Sequence, residues 1–414
     1  MSLKGEKVVM QGINFNFCGK LKKIKTDKFK TDEIKAFSSG WCTRTYKFAG
    51  QAKSSRYMFN MQFGYWGDSR GNLDEAKNVI YTFAKRKEGE AKSAQLKIPY
   101  AKRFDEETIK DVARRYYLDT NPAGDWFEIS NIVAKFEKNE AVSDESKDKY
   151  KVYNLVQAKA EQAKLAENRK EFICYGDFID AINEIVESGK YENEKWSISG
   201  NWEIAYSEEK GQFYKNFVPT RVSRAKDDAE EHMRIIFDAV YGDGAWNEEY
   251  FADTGKCYLD AYVEYYDGRF KDINKGKVFC PMHIAFNVED GAAKDKIGAK
   301  FDGHNPDVPY HVVGLVCDYI NGAERVEITE DDLTDEQRED IALGLTTFED
   351  IKRALGGSAY GEKITEIRFV KYDNTVYGHR DTVYTDSDIE PPHHEENAVV
   401  KETISTGEDD IFEI

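Results

Sequence analysis

The stretch "SSRYMFNMQFGYWGDSRGN" restricts the possible folds more than any other part of the chain. Every second residue from Tyr57 to Tyr65 is large and apolar: Tyr57, Phe59, Met61, Phe63 and Tyr65. A period of two places all five on one face of a strand, whereas an α-helix would scatter them around its circumference. The alternate residues are Arg56, Met58, Asn60, Gln62, Gly64 and Trp66. The uniformly large face reads as core. That leaves Arg56, Asn60, Gln62 and Trp66 on a face that can meet a ligand.

Other segments repeat the pattern. "INFNFCGKLKKIK" alternates Ile13, Phe15 and Phe17, and "GWCTRTYKFAG" follows it. "KWSISGNWEIAYSEEKGQFYKNFVPTRVSR" reads as two strands joined through "SEEKG", with Trp196, Ile198, Trp202 and Ile204 on one face and Pro219 marking an edge or bulge. Further strands are expected in "KCYLDAYVEYYDGRF", "KVFCPMHIAFNV", "YHVVGLVCDYING" and "KITEIRFVKY", and one more in "DWFEISNIVAKFEKNE". Helices are expected in "NLDEAKNVIYTFAKRK", in "FDEETIKDVARRYYL", near 226–240 and in "TEDDLTDEQREDIALGL". "DFIDAINEIVESGK" gathers Phe178, Ile179, Ile182, Ile185 and Val186 on one helical face and stops at Gly189. Beyond 373 the chain is polar and acidic with a Pro pair, which predicts a disordered linker.

Charge divides the chain more sharply than its formal net of −18 suggests. Residues 1–110 carry 23 Lys+Arg against 12 Asp+Glu, a net of +11. Residues 371–414 carry 3 against 12, a net of −9. A basic head and an acidic tail predict two different electrostatic partners. No apolar run approaches the ~20 residues that span a bilayer, so no membrane contact is expected. The N-terminal "MSLKGEKVVMQG" has no apolar signal core, and the six cysteines include no C-x-x-C pair. Both features predict a cytoplasmic protein in a reducing compartment.

Several chemistries are excluded. "GGSAYGEKIT" has the outline of a phosphate-binding loop, but Glu362 stands where a lysine is needed and would repel the phosphates. There is no G-x-S-x-G and no H-E-x-x-H. Cys280 and His283 form a C-x-x-H half-site, with Cys257, His304, His311 and Cys317 as scattered company. A tetrahedral zinc needs four ligands brought together, and no spacing supplies the second pair. The expectation is therefore no metal, no cofactor and no enzymatic activity.

Base and aromatic interleave in the head. "KLKKIK" supplies Lys20, Lys22, Lys23 and Lys25; Trp41, Arg44, Tyr46 and Lys47 follow, and Arg70 closes the next run. Single-stranded nucleic acid takes this pairing, because cations neutralise phosphates while aromatic faces stack bases. Tyr214, Lys215, Arg221 and Arg224 form a smaller strip of the same kind.

The C-terminal "GEDDIFEI" ends in acids followed by large apolar residues. Such a tip can dock its apolar residues in a basic-rimmed pocket while its acids steer the approach. It resembles the acidic, apolar-tipped C-terminus of bacterial and phage single-stranded DNA-binding proteins, with Glu413 and Ile414 following the aromatic residue where that family ends on Pro-Phe. The resemblance implies that Asp409, Asp410, Ile411 and Phe412 recruit replication and repair proteins, and Ile414 belongs to the same apolar tip. Together with the short aromatic strands it implies oligonucleotide-binding (OB) barrels.

The resulting expectation is an α+β protein, mainly β, with two OB-like barrels, helical insertions and a disordered acidic tail. The units are expected at 1–145, 146–372 and 373–414. The second unit is expected to extend the groove or mediate self-association into a homo-oligomer. The expected function is sequence-tolerant binding of single-stranded DNA in replication and recombination. The alternative is a structural or assembly protein, as in a virion, whose β-rich units form subunit interfaces.

Overall fold

The computed structural model describes residues 12–24, 30–86, 93–113, 115–301, 308–326, 333–354, 359–373 and 378–393. The chain begins with β1 (Asn14–Lys22), β2 (Asp32–Ala36), β3 (Trp41–Ala52) and β4 (Ser55–Trp66). A hairpin of β5 (Val79–Phe83) and β6 (Gln95–Pro99) follows, then α1 (Glu106–Ile109) and β7 (Tyr116–Asp119). Next come α2 (Asp125–Glu137), α3 (Asp144–Tyr150), α4 (Leu155–Glu167), β8 (Arg169–Phe172) and α5 (Tyr175–Ser188). The long hairpin of β9 (Lys195–Ser207) and β10 (Gln212–Arg224) leads to β11 (His232–Gly242) and β12 (Trp246–Asn247). The remainder holds α6 (Phe251–Thr254), β13 (Lys256–Tyr266), α7 (Lys271–Asn274), β14 (Lys277–Asn287), α8 (Gly291–Phe301) and β15 (Tyr310–Val326). It ends with α9 (Asp335–Ala342), α10 (Phe348–Ala354), β16 (Ala359–Tyr372), β17 (Arg380–Asp381) and α11 (Asp386–Ile389). The architecture is mainly β with helices, as expected.

Two closed circuits of strand pairing organise these elements. In the first, β1 pairs with β3, β3 with β4, β4 with β10, β10 with β9, and β9 with β1. In the second, β11 pairs with β13, β13 with β14, β14 with β16, β16 with β15, and β15 with β11. Counted along the chain, both run first–second–third–fifth–fourth and back to the first. In both, the third and fifth strands are parallel, at Phe59↔Phe217 and at Ile284↔Ile367. Helical segments lie between the third and fourth strands each time, α1 to α5 in the first circuit and α8 in the second.

The circuits are joined through their first strands, β1 and β11, in antiparallel register Asn14↔Ile236 to Cys18↔His232. One hydrophobic cluster runs through both, from Phe15, Phe59 and Trp202 to Phe237, Leu259 and Ile284. Alternation explains it: each of these strands turns one set of every second residue inward. The α5 face reads likewise, with Phe178, Ile179, Ile182 and Val186 buried and Gly189 closing the helix in the left-handed region at φ 64°. Position 145 falls inside α3, and strands from both sides of it complete the first circuit.

Several sequence expectations are corrected. "VIYTF" forms β5 and not a helix, since its β-branched and aromatic residues outweigh the helix formers before it. "DWFEISNIVAKFE" is α2, whose Ile129, Ile132 and Val133 pack against α4. Only Glu106–Ile109 of "FDEETIKDVARRYYL" is helical before β7 begins, and the segment near 232–242 is β11. Part of the acidic segment beyond 373 is ordered: β17 pairs with β15, and Tyr384 and Ile389 are buried against Val240, Phe279 and Val312. The tip residues Asp409, Asp410, Ile411, Phe412 and Ile414 lie outside the described residues, as does Lys25. Among the described residues no helix is long and apolar enough to cross a membrane.

Candidate nucleic-acid interface

The β3–β4 ladder fixes which head residues share a surface. Its register pairs Trp41 with Trp66, Thr45 with Gln62, Lys47 with Asn60 and Gln51 with Arg56. These are the positions opposite the buried set Cys42, Tyr46, Phe48, Tyr57, Phe59, Met61 and Tyr65, so they face outward together. Trp41 and Trp66 are 36% and 42% exposed, with ring centroids 5.3 Å apart at 78°. Gly64 makes room for this pair. A Cβ there would lie 2.3 Å from Cζ2 of Trp41, so the indole rests against bare backbone. Arg56 and Gln62 are exposed. The side-chain oxygen of Asn60 is shielded from solvent and has no hydrogen-bond partner among the described residues. Lys20 and Lys22 of β1 stand beside Gln51 and Ala49 on the same outward parity.

Two head residues leave this surface. Tyr46 is 1% exposed and stacks on Phe48 in the core, because its parity in β3 is that of Cys42 and Phe48. Arg44 shares that parity. Its guanidinium bonds both oxygens of Asp32 at 2.8 and 2.7 Å and reaches Asp180 of α5 at 2.5 Å. The hydrogen bond that it donates to Asp32 leads the causes that raise its already high pKa. Arg44 therefore ties β2 and α5 to β3. Lys22 lies 3.8 Å from Glu192, and Lys23 pairs with Glu187. Exposed pairs of this kind are worth about 0–1 kcal/mol and exchange readily for another anion. Arg70 is exposed in the loop that Asp68 organises through bonds to the Arg70 and Asn72 main-chain N–H groups at 2.8 and 2.9 Å.

The second strip separates as well. Lys215 is exposed on β10, with its Nζ 3.6 Å from the sulfur of Met282 on β14. Arg224 pairs with Glu194. A register shift between Pro219 and Arg221 turns Arg221 outward, where its guanidinium lies 5.8 Å from the ring of Tyr117. The other neighbour of that ring is Arg169, at 4.5 Å, which is itself held by Asp119 at 3.1 Å. Tyr214 is half-buried on β10.

The corresponding face of the second circuit, on β13 and β14, is partly covered by the chain itself. Tyr384 is buried there, its hydroxyl bonded to Glu264, and Lys277 bridges the two at 2.8 Å from Glu264 and 3.2 Å from Tyr384. The half-site Cys280–His283 is divided by the strand: Cys280 is buried in the core, while His283 points outward, stacks on Tyr258 at 4.2 Å and bonds Asp260 at 2.6 Å. Among the described residues no group of three or more metal-ligating side chains converges.

Sequence reading passed over a second exposed aromatic group. Tyr81 and Phe83 on β5 are 57% and 42% exposed, with Lys97 5.4 Å from the Tyr81 ring and Arg115 5.7 Å from that of Phe83. The enrichment of "VIYTF" in β-branched and aromatic residues was the available signal.

No protein-family model matches the chain, and no curated protein matches it. Among solved structures, a deletion variant of the single-stranded DNA binding protein from Thermus aquaticus is similar at 6% identity and a TM-score of 0.29, over 88% of this chain and 94% of that one. A likeness at that level carries no argument about fold or function.

Proposed function

We propose that the protein binds single-stranded DNA, with little sequence preference, on the outer face of β3 and β4. The observation that carries this reading is the exposed Trp41–Trp66 pair sharing one strand face with Lys47, Arg56, Asn60 and Gln62. Aromatic faces stack any base, at about 1–3 kcal/mol each, and cations beside them take the phosphates. We further propose that the two pairing circuits are oligonucleotide-binding barrels. That fold is a five-stranded Greek-key closure whose second and third strands face the nucleic acid, and β3 and β4 are the second and third strands of the first circuit. The second circuit, its own face partly covered by Tyr384, acts as a support and as the base from which the acidic tail departs. In this reading Asp409, Asp410, Ile411, Phe412 and Ile414 recruit replication or recombination proteins, and the chain performs no catalysis.

Fluorescence-anisotropy titration of labelled poly-dT at low and moderate salt tests the reading. The expected result is micromolar or tighter binding that weakens as salt rises, with a loss of about tenfold or more in Trp66→Ala. Absence of binding by the full chain at low salt refutes it and leaves an assembly interface as the use of the exposed tryptophans.

A further inference from the structure

The hairpin β5–β6 interrupts the first circuit between its third and fourth strands, and its two faces differ. Ile80, Leu96 and Ile98 pack with Ile109, Val112 and Ile173 in a small cluster of their own. The opposite face carries Val79, Tyr81 and Phe83 on β5, paired in register with Pro99, Lys97 and Gln95 on β6. Nothing in the chain covers this second face among the described residues: Val79, Tyr81 and Phe83 are all exposed. A two-stranded ribbon is marginal in water, and leaving three large apolar side chains on its outer face adds to that cost unless they have a use.

The hairpin is fixed to the candidate interface at its root. Asn78 is buried, and its side-chain amide accepts from the main-chain N–H of Trp66 at 2.8 Å and donates to the Trp66 carbonyl at 2.7 Å. The Asn78 carbonyl in turn accepts from the Tyr100 main-chain N–H at 3.0 Å, at the far end of β6. One buried side chain thus sets the hairpin's position relative to the exposed Trp66 ring. The charges agree with an anionic occupant. Residues 79–99 carry 5 Lys+Arg against 2 Asp+Glu, and Lys97 and Arg115 lie over the two aromatic rings.

We propose that Tyr81 and Phe83 are a second base-stacking platform, taking the unpaired bases of the same single strand as it leaves the Trp41–Trp66 pair, with Lys97 and Arg115 on its phosphates. The proposal rests on the single-strand reading of the β3–β4 face and adds a site to it. It predicts a length dependence: a short oligomer fills the tryptophan face alone, and a longer one also reaches the hairpin.

The test compares the full chain with Tyr81→Ala/Phe83→Ala on oligo-dT of increasing length, by anisotropy and by quenching of tryptophan emission. The expected result is about tenfold weaker binding of long oligomers, unchanged affinity for the shortest oligomer that binds, and unchanged tryptophan quenching. Photocrosslinking to 5-iodouracil-substituted oligomers is expected to label the peptide containing Tyr81 and Phe83 in the unaltered chain, which keeps the test open should the double variant misfold. Equal affinity and site size in a folded variant, or no label on that peptide, overturns the proposal while the parent reading stands. A variant that loses self-association in sedimentation yet binds DNA normally also overturns it, showing a face for a second copy. If the unaltered chain binds no oligomer, the parent reading fails first.

Discussion

Gly64 decides where Trp41 lies. Its strand has ordinary extended geometry, so the requirement is for space beneath the indole and not for an unusual φ. Gly64→Ala is expected to displace Trp41, shift tryptophan emission and weaken single-strand binding about tenfold. Unchanged affinity in a variant with altered emission would show that Trp41 does not touch the ligand. Arg44 and Lys47, three residues apart, should separate cleanly. Arg44→Ala removes bonds to Asp32 and Asp180 and is expected to cost on the order of 1 kcal/mol of stability in urea unfolding, with the DNA salt slope retained. Lys47→Ala is expected to reduce that slope by about 0.7. The opposite pattern would reverse the two assignments.

The junction of β1 and β11 holds the circuits together, and His232 sits at its end opposite Cys18. Its Nδ1 lies 2.9 Å from the Glu230 carbonyl and its Nε2 lies 3.1 Å from the side-chain oxygen of Asn16 on β1. Burial, with Arg234 adding to it, holds the imidazole below its ordinary value of 6.5. The native state thus binds this proton more weakly than the unfolded chain does. The stability His232 contributes is present above about 6.5 and is lost as pH falls through the depressed native value. Urea midpoints are expected to drop between pH 7 and pH 5, and to drop less in His232→Gln. An identical drop in both would assign the pH dependence to other groups.

For the chain as a whole, the acidic C-terminus departs from the second circuit after a segment that packs on that circuit's own strands. Truncation after 393 keeps Tyr384 and Ile389 in place and removes 1 Lys and 7 Asp+Glu. The shortened chain is expected to bind poly-dT more tightly at low salt, with the two curves converging as salt rises, because the tail competes as an anion and is screened. Equal binding at low salt would show that the tail does not compete for the proposed DNA surface. Truncation before 380 does not test the same thing, since it also strips β17, Tyr384 and Ile389 from the second circuit and exposes Phe279 and Val312.

Local periodicity was legible in β1, β4, β9 and α5 and misread in β5, α2 and β11. The alternation in "RYMFNMQFGYW" separated Phe59 and Met61 from Asn60 and Gln62 before any contact was known, because side-chain direction in a strand depends only on position parity. The same rule, applied to "WCTRTYKF", would have placed Arg44 and Tyr46 with Cys42 and Phe48, and charge alone overrode it. Parity could not show that Asp32 and Asp180 wait for Arg44, since those partners lie 12 and 136 residues away in sequence. Nor could it show that β9 and β10 return past α3 to close the circuit begun by β1, or that Tyr384 lies across β13 and β14. Strand type and face are set by neighbours in sequence. Pairing partners, the identity of a salt bridge and the covering of one face and not its counterpart are set by long-range packing, which sums many weak contacts that no local window contains.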